Sequence, residues 1–402
     1  MPVARHYAAC GLTSPPAHLR LSAARPATKR PTPFKLASKG LHLADWIDRT
    51  APLEAWMSHA PATFGLDTEF MRTSTFFPKL ALVQLAFGDQ VALIDPAAEI
   101  GLDALGDALA DPDRVVVMHS ASEDLDALAT RLPRGIARLF DTQIAAAFAG
   151  LGAGLGYQKL VREMLGVDLP KAETRSDWLR RPLSPQQIEY AEHDVVHLPA
   201  LHDALTERVA ARGYSAWLAA DCARLVERAR QREPDPEPQI ALRTAADWPL
   251  ERQALLRRVL RWRDAAARRT NTPRPWILDD AASLDLAARP PRELSELAER
   301  TKGLRGLRSA LRTELFELLR RPLEDDELRF EPIPRSPSPQ EKAALAALKD
   351  AVAARARELD LPEGLLGSRR HLESLLVTRR WPAALEGWRR EVLHDALVER
   401  LP

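Results

Sequence analysis

The stretch Thr63–Phe87, TFGLDTEFMRTSTFFPKLALVQLAF, decides the fold. It begins as a buried strand should, yet it sets Asp67 and Glu69 two residues apart inside an apolar run. Side chains alternate along a strand, so the two carboxylates share a face while Thr68 points the other way. Side by side, two acids repel each other and resist leaving water. Phe64, Leu66 and Phe70 leave little amphipathic alternation, which argues against a strand that simply wets its acids. The segments LALVQLAF and QVALIDP continue as two further strands, joined at Gly88 and Asp89, a pair suited to a tight hairpin.

Helices then alternate with strands. LDALGDALADP is a helix stopped by Pro112, RVVVMHS is a Val-rich strand, ASEDLDALATRL is a second helix, and RLFDTQIAAAFAGLG leads into a third. That order predicts an α/β domain, a mixed sheet with helices packed on it. Asp124 falls in the first turn of the helix after a buried strand, where ligand sites of α/β sheets gather. The helix dipole alone also favours an acid there. In LSPQQIEYAEHDVVHLPAL (183–201), Ser184 is a helix cap, Pro185 the first helical residue and Gln187 the partner of a capping box. Tyr190 and Asp194 are then four apart on one face of that helix, with His193 and His197 at other azimuths.

Asp67, Glu69, Asp124 and Asp194, brought to one place, form the donor set for two magnesium or manganese ions about 3.5–4 Å apart. Such a pair lowers the pKa of a bound water and stabilises both oxygens of an in-line displacement at phosphorus. Tyr190 would orient the attacking water; with an ordinary pKa near 10, a phenol is a poor base at neutral pH.

The motifs LDTEF, HSASEDL, FDTQ and YAEHDV, in this order, resemble those of the DEDD exonuclease superfamily. KAETRSDWLRRPLSPQQIEYAEHDV resembles the ribonuclease D family in particular, and the likeness runs densely over residues 45–225. It implies a ribonuclease-H-like fold and a 3′→5′ exoribonuclease that removes one nucleotide at a time and trims transfer RNA precursors. Position by position, it makes Asp67 the acid that touches both metals, Glu69, Asp124 and Asp194 the remaining ligands, and Tyr190 the residue that positions the water. Members with a histidine place it five before the last Asp, where this chain has Glu189, so the resemblance is to the tyrosine subtype and His193 is not that histidine.

Position suggests further RNA contacts. Phe70 and Met71, just beyond the acid pair, are candidates to stack on the terminal base, with ordinary core packing as the alternative for Phe70. Gln84 on the next strand is a candidate for a sugar hydroxyl. Lys171, Arg175 and Arg180 precede Tyr190 and are candidates for phosphates, with solvated surface as the alternative. His119, closing a strand, reads as a structural polar anchor.

The chain has 402 residues, 46% hydrophobic and 28% charged, enough for two or three domains. No apolar run reaches the roughly 18 residues of a membrane span. Cys10 and Cys222 are the only cysteines, so neither a disulfide framework nor a CxxC zinc spacing exists, and a cytoplasmic setting is the expectation. The net charge of +1 divides into +7 for residues 1–44, −9 for 45–230 and +3 for 231–402. Residues 1–44 carry no acid and mix Pro, Ser, Ala and Arg without period, which predicts a disordered basic extension or, alternatively, a transit peptide.

The exonuclease domain is expected at 45–230 and a Pro- and acid-rich linker at 231–247, then an all-α bundle at 248–322, a second linker at 323–337 and another bundle at 338–402. LRWRDAAARRTNTPRPWILDDAA (260–282) is similar to the helical HRDC domain that RecQ-type helicases share with ribonuclease D, and 338–402 resembles a diverged second copy. Residues 248–322 hold 17 basic and 10 acidic side chains, so Arg257, Arg258, Arg261, Arg268 and Arg269 are candidates for RNA contact, unless merely solvated. A monomer is expected, because no apolar stripe is left over for a partner. DNA repair or proofreading by the same acids, or an inactive RNA-binding scaffold, are the alternatives.

Overall fold

The computed structural model describes residues 44–170, 176–231 and 233–401. The reading of residues 1–44 as a disordered extension falls almost wholly outside that range.

The catalytic half begins with β1 (Asp45–Ile47), α1 (Thr50–Met57), β2 (Thr63–Met71), β3 (Lys79–Phe87) and β4 (Gln90–Ile94). α2 (Asp103–Ala110), β5 (Val115–Met118), α3 (Ser122–Leu128), β6 (Leu139–Asp141) and α4 (Thr142–Phe148) follow. Four more helices complete this half: α5 (Tyr157–Leu165), α6 (Pro185–Val196), α7 (Leu198–Ala211) and α8 (Ser215–Arg230). The six strands lie in the order β1-β4-β3-β2-β5-β6. β2, β3 and β4 are antiparallel neighbours, while β1 on β4, β5 on β2 and β6 on β5 are parallel, so the sheet is mixed as expected. β3 and β4 close through Gly88 and Asp89, with Phe87 opposite Gln90 and Gly88 at φ +64°, a conformation glycine adopts without steric cost.

β2 is central and covered on both faces. Phe64 and Leu66 on one side are fully buried. On the other, Gly65 faces the junction of α6 and α7: a Cβ added there would lie 2.9 Å from Leu198 Cβ and 3.2 Å from the Val195 carbonyl oxygen. The missing side chain is what lets that junction close on the strand. α6 starts as the sequence predicts, with the Ser184 hydroxyl accepting from Gln187 N–H and the Gln187 side chain accepting from Ser184 N–H. Its entry is pinned by Arg181, whose Nε and Nη2 each donate to Asp95 at 2.6 Å and whose Nη2 also reaches the Ala81 carbonyl.

The first helical bundle comprises α9 (Leu250–Thr270), α10 (Arg274–Ile277), α11 (Asp280–Ala288), α12 (Leu294–Arg300) and α13 (Ser309–Arg320), around its own core of Leu256, Val259, Leu260, Leu297 and Leu315. Phe76, from the β2–β3 connection, packs against that core. The last helices, α14 (Pro339–Leu359), α15 (Glu363–Leu366), α16 (Arg369–Thr378) and α17 (Trp388–Val398), instead share one continuous core with the sheet domain. Trp388 stacks on Trp217 at 4.5 Å, and the buried Arg389 guanidinium forms a bidentate pair with Asp221 of α8, both bonds 2.6 Å. No helix among the described residues is long and apolar enough to cross a membrane.

Candidate active site

Three elements carry the acids. Asp67 and Glu69 sit on the half-open face of β2, Asp124 in the first turn of α3, and Asp194 in the last turn of α6, one residue before the Val195 that Gly65 admits. Thr68, pointing away from Asp67, donates its hydroxyl to Asp124 Oδ1 at 2.5 Å and so ties α3 to the strand. β2 is thus joined to α6–α7 through Gly65 and to α3 through Thr68.

The electrostatics report the same convergence. Burial pushes the Asp67 carboxyl well above the usual carboxylate range, and Asp124, Asp194 and Glu69 push it further. Glu69 is raised to about 8 by burial and by Asp194 and Asp124. Asp124 and Asp194 are each raised to about 6, chiefly by burial, with hydrogen bonds from Thr68 and Tyr190 opposing the shift. None of the four belongs to an ion pair among the described residues. Four repelling carboxylates without a Lys or Arg counter-charge suit a site completed by cations. No three His, Cys, Asp or Glu side chains among the described residues stand as a ready-made metal cage.

Tyr190 is half-buried on α6, one helical turn before Asp194, its ring 5.9 Å from that of the buried Trp178. Burial and the neighbouring carboxylates raise its pKa, so the phenol keeps its proton. Sequence reasoning missed Tyr157. It opens α5 behind the acids, donates its hydroxyl to the His193 carbonyl at 3.2 Å, and is pushed up by burial and by the charges of Asp194 and Asp67. The only local signal was a tyrosine after the glycine-rich turn GLGAGLG. Gly65 was also passed over, because its role depends on what packs above it.

The other candidates divide. Phe70 and Met71 are half-buried beside the acids, Phe70 against the core. Gln84 lies directly opposite Asp67 on β3 but is fully buried, with neither amide atom bonded. Contact with a sugar hydroxyl is therefore withdrawn: β3 is an inner strand beneath α6. His119 bonds Thr142 through Nδ1 at 2.9 Å, as an anchor should. Arg180 is exposed at the approach to α6, while Lys171 and Arg175 lie outside the described residues.

In the bundle, Arg258 also leaves the expected RNA-facing set. It is 6% exposed, paired with Glu327, and donates to the carbonyls of Leu318, Arg321 and Pro322, closing the end of α13. Arg257 is largely covered and bound to Glu237 at 2.9 Å. Arg261 and Arg269 are exposed, and Arg268 is half-buried against Asp264.

Known proteins show the same layout. Residues 44–210 match the model of a 3′-5′ exonuclease family, residues 252–307 that of the HRDC domain, and residues 339–397 that of the C-terminal HRDC domain of ribonuclease D. The ribonuclease D of Xanthomonas oryzae pv. oryzae is 47% identical over 360 residues, 89% of this chain and 98% of the relative. That of Pseudomonas paraeruginosa is 36% identical over 350 residues, 84% and 91% of the two chains. The crystal structure of Escherichia coli RNase D, an exoribonuclease involved in structured RNA processing, superposes with a TM-score of 0.76 at 28% identity, covering 89% of this chain and 98% of that one. The chain therefore belongs to the ribonuclease D family, as a 3′–5′ exonuclease followed by two HRDC domains.

Proposed function

We propose that the chain is a divalent-metal-dependent exoribonuclease that releases nucleoside 5′-monophosphates one at a time from RNA 3′ ends, transfer RNA precursors among its substrates. The observation that carries this reading is the set of four uncompensated carboxylates around β2, with Tyr190 one helical turn before Asp194 and keeping its proton. Relatives that share most of the chain carry the name ribonuclease D.

Asp67, Glu69, Asp124 and Asp194 would hold two magnesium or manganese ions, which, when bound, supply an acidified water and charge neutralisation at phosphorus. The remaining work falls to the protein's own groups. Tyr190 keeps its proton and holds the attacking water in line rather than acting as a base. Tyr157, bonded to the His193 carbonyl, and Gly65, under Val195, fix α6 so that Asp194 and Tyr190 move as a unit. Phe70 and Met71 would border the terminal base, and the exposed Arg180 would meet a phosphate. A monomer acting in the cytoplasm completes the proposal.

The test is a time course on 5′-labelled RNA with a single-stranded 3′ tail, beside the matching DNA. Single-nucleotide steps on RNA are expected. Steps mainly on DNA would replace this reading with a repair exonuclease.

A further inference from the structure

Gln84, on β3, is fully buried, and neither its amide oxygen nor its amide nitrogen has a hydrogen-bond partner among the described residues. A buried polar group left unbonded is destabilising, and natural folds rarely keep one without a use for it. An apolar side chain of the same length, such as methionine, would fill the space without that cost.

The register of the sheet fixes what the amide stands beside. Directly opposite Gln84 are Asp67 on β2 and Leu93 on β4, so the three side chains share one face. It is the face that α6 covers: Ala86, two residues along β3, and Gly65, its partner on β2, meet below Val195 and Leu198. The buried side chains of α6 offer the amide nothing. Ala191 and Val195 are apolar, Gln187 is bonded to Ser184, and Glu192 accepts from the Ala44 N–H. Leu93 is apolar too, which leaves Asp67 as the polar side chain directly across from Gln84. Cβ atoms of directly opposed residues lie about 4.5–5.5 Å apart, within reach of a glutamine, whereas a diagonal neighbour such as Glu69 lies about 7–8 Å away.

We infer that Gln84 is a positioning residue for Asp67: its amide N–H donates to the Asp67 carboxylate when that carboxylate holds cations, and fixes the direction in which the acid presents its oxygens. The role rests on the metal-dependent reading of the four acids above. An amide suits it. It is a donor without charge, so it orients the acid and leaves the whole negative charge to the ions, where a lysine or arginine would take the place of a cation.

The test is a manganese titration of the full-length chain without RNA, with free Mn²⁺ read by electron paramagnetic resonance, beside the metal-free Tm. Gln84→Leu and Gln84→Met each remove the donor and keep an apolar side chain of similar size, so one serves should the other fail to fold. The expected metal-free Tm equals or exceeds that of the wild type, because an unbonded buried amide is gone, while the Kd for Mn²⁺ rises roughly 10–100-fold. A mere packing role would move Tm and leave Mn²⁺ binding alone. Mn²⁺ bound as tightly as by the wild type, or a metal-free Tm that falls in both variants, would overturn the role of Gln84 and leave the four acids standing. A wild-type chain that takes up no Mn²⁺ would overturn both.

Discussion

The backbone of Gly65 lies so close to Val195 that a single methyl group on it would stand 3.2 Å from the Val195 carbonyl oxygen. That approach sets the height of α6 above β2, and with it the distance of Asp194 from Asp67. Gly65→Val should lift the helix. The expected outcome is a loss of about 1–3 kcal/mol of stability from overpacking and a drop in kcat of at least tenfold, with the strand order intact by circular dichroism. A variant that is destabilised yet keeps full kcat would show that α6 is placed by other interactions.

The four acids store repulsion that the metal-free protein must carry. Their folded pKa values are raised, Asp124 and Asp194 to about 6 and Glu69 to about 8, above the ordinary values near 4. A carboxyl with a raised folded pKa favours the fold in its neutral form. Its contribution is therefore fully present below pH about 4 and is lost as pH rises through the folded values. Metal-free Tm should fall between pH about 4.5 and 8, and the stabilisation given by magnesium or manganese should grow over the same interval. A metal-induced Tm shift that is flat with pH would count against the acids as its origin.

Asp67→Asn removes one of those charges. It should raise the metal-free Tm at pH about 8, leave it unchanged near pH 4.5, and reduce hydrolysis by several orders of magnitude. Calorimetry at the two pH values gives the answer; a destabilised variant at the higher pH would mean that Asp67 is compensated in some other way.

Tyr190→Phe deletes one hydroxyl from a ring still packed beside Trp178. The rate should fall about 10²–10³-fold with metal affinity nearly unchanged, since the phenol orients water and does not ligate. Wild-type turnover in this variant would remove Tyr190 from the mechanism.

Arg389→Ala leaves the buried carboxylate of Asp221 unpaired and should cost about 3–5 kcal/mol, loosening the last bundle from the sheet domain. Limited proteolysis after α14 would report it.

Local patterns carried the sequence reading furthest. Alternation put Asp67 and Glu69 on one face, the Ser-Pro-x-Gln run capped α6 at the expected residue, and Gly-Asp closed the β3–β4 hairpin. What escaped depends on partners distant in the chain. Arg258 looked like its neighbours on a basic helix, and only the return of Glu327, 69 residues on, buries it. Gln84 looked accessible until α6 covered β3, and Gly65 looked ordinary until Leu198 stood over it. The last bundle reads as a copy of the first, but Trp388 and Arg389 merge its core with that of the sheet.

The most direct test of the central claim is the gel ladder from a 5′-labelled RNA with a single-stranded 3′ tail, comparing wild type with Asp67→Asn, each with and without magnesium. A ladder of one-nucleotide steps that requires both the ion and Asp67 is the predicted result. A ladder that persists with EDTA, or in the Asp67→Asn variant, would contradict an active site built on these four carboxylates.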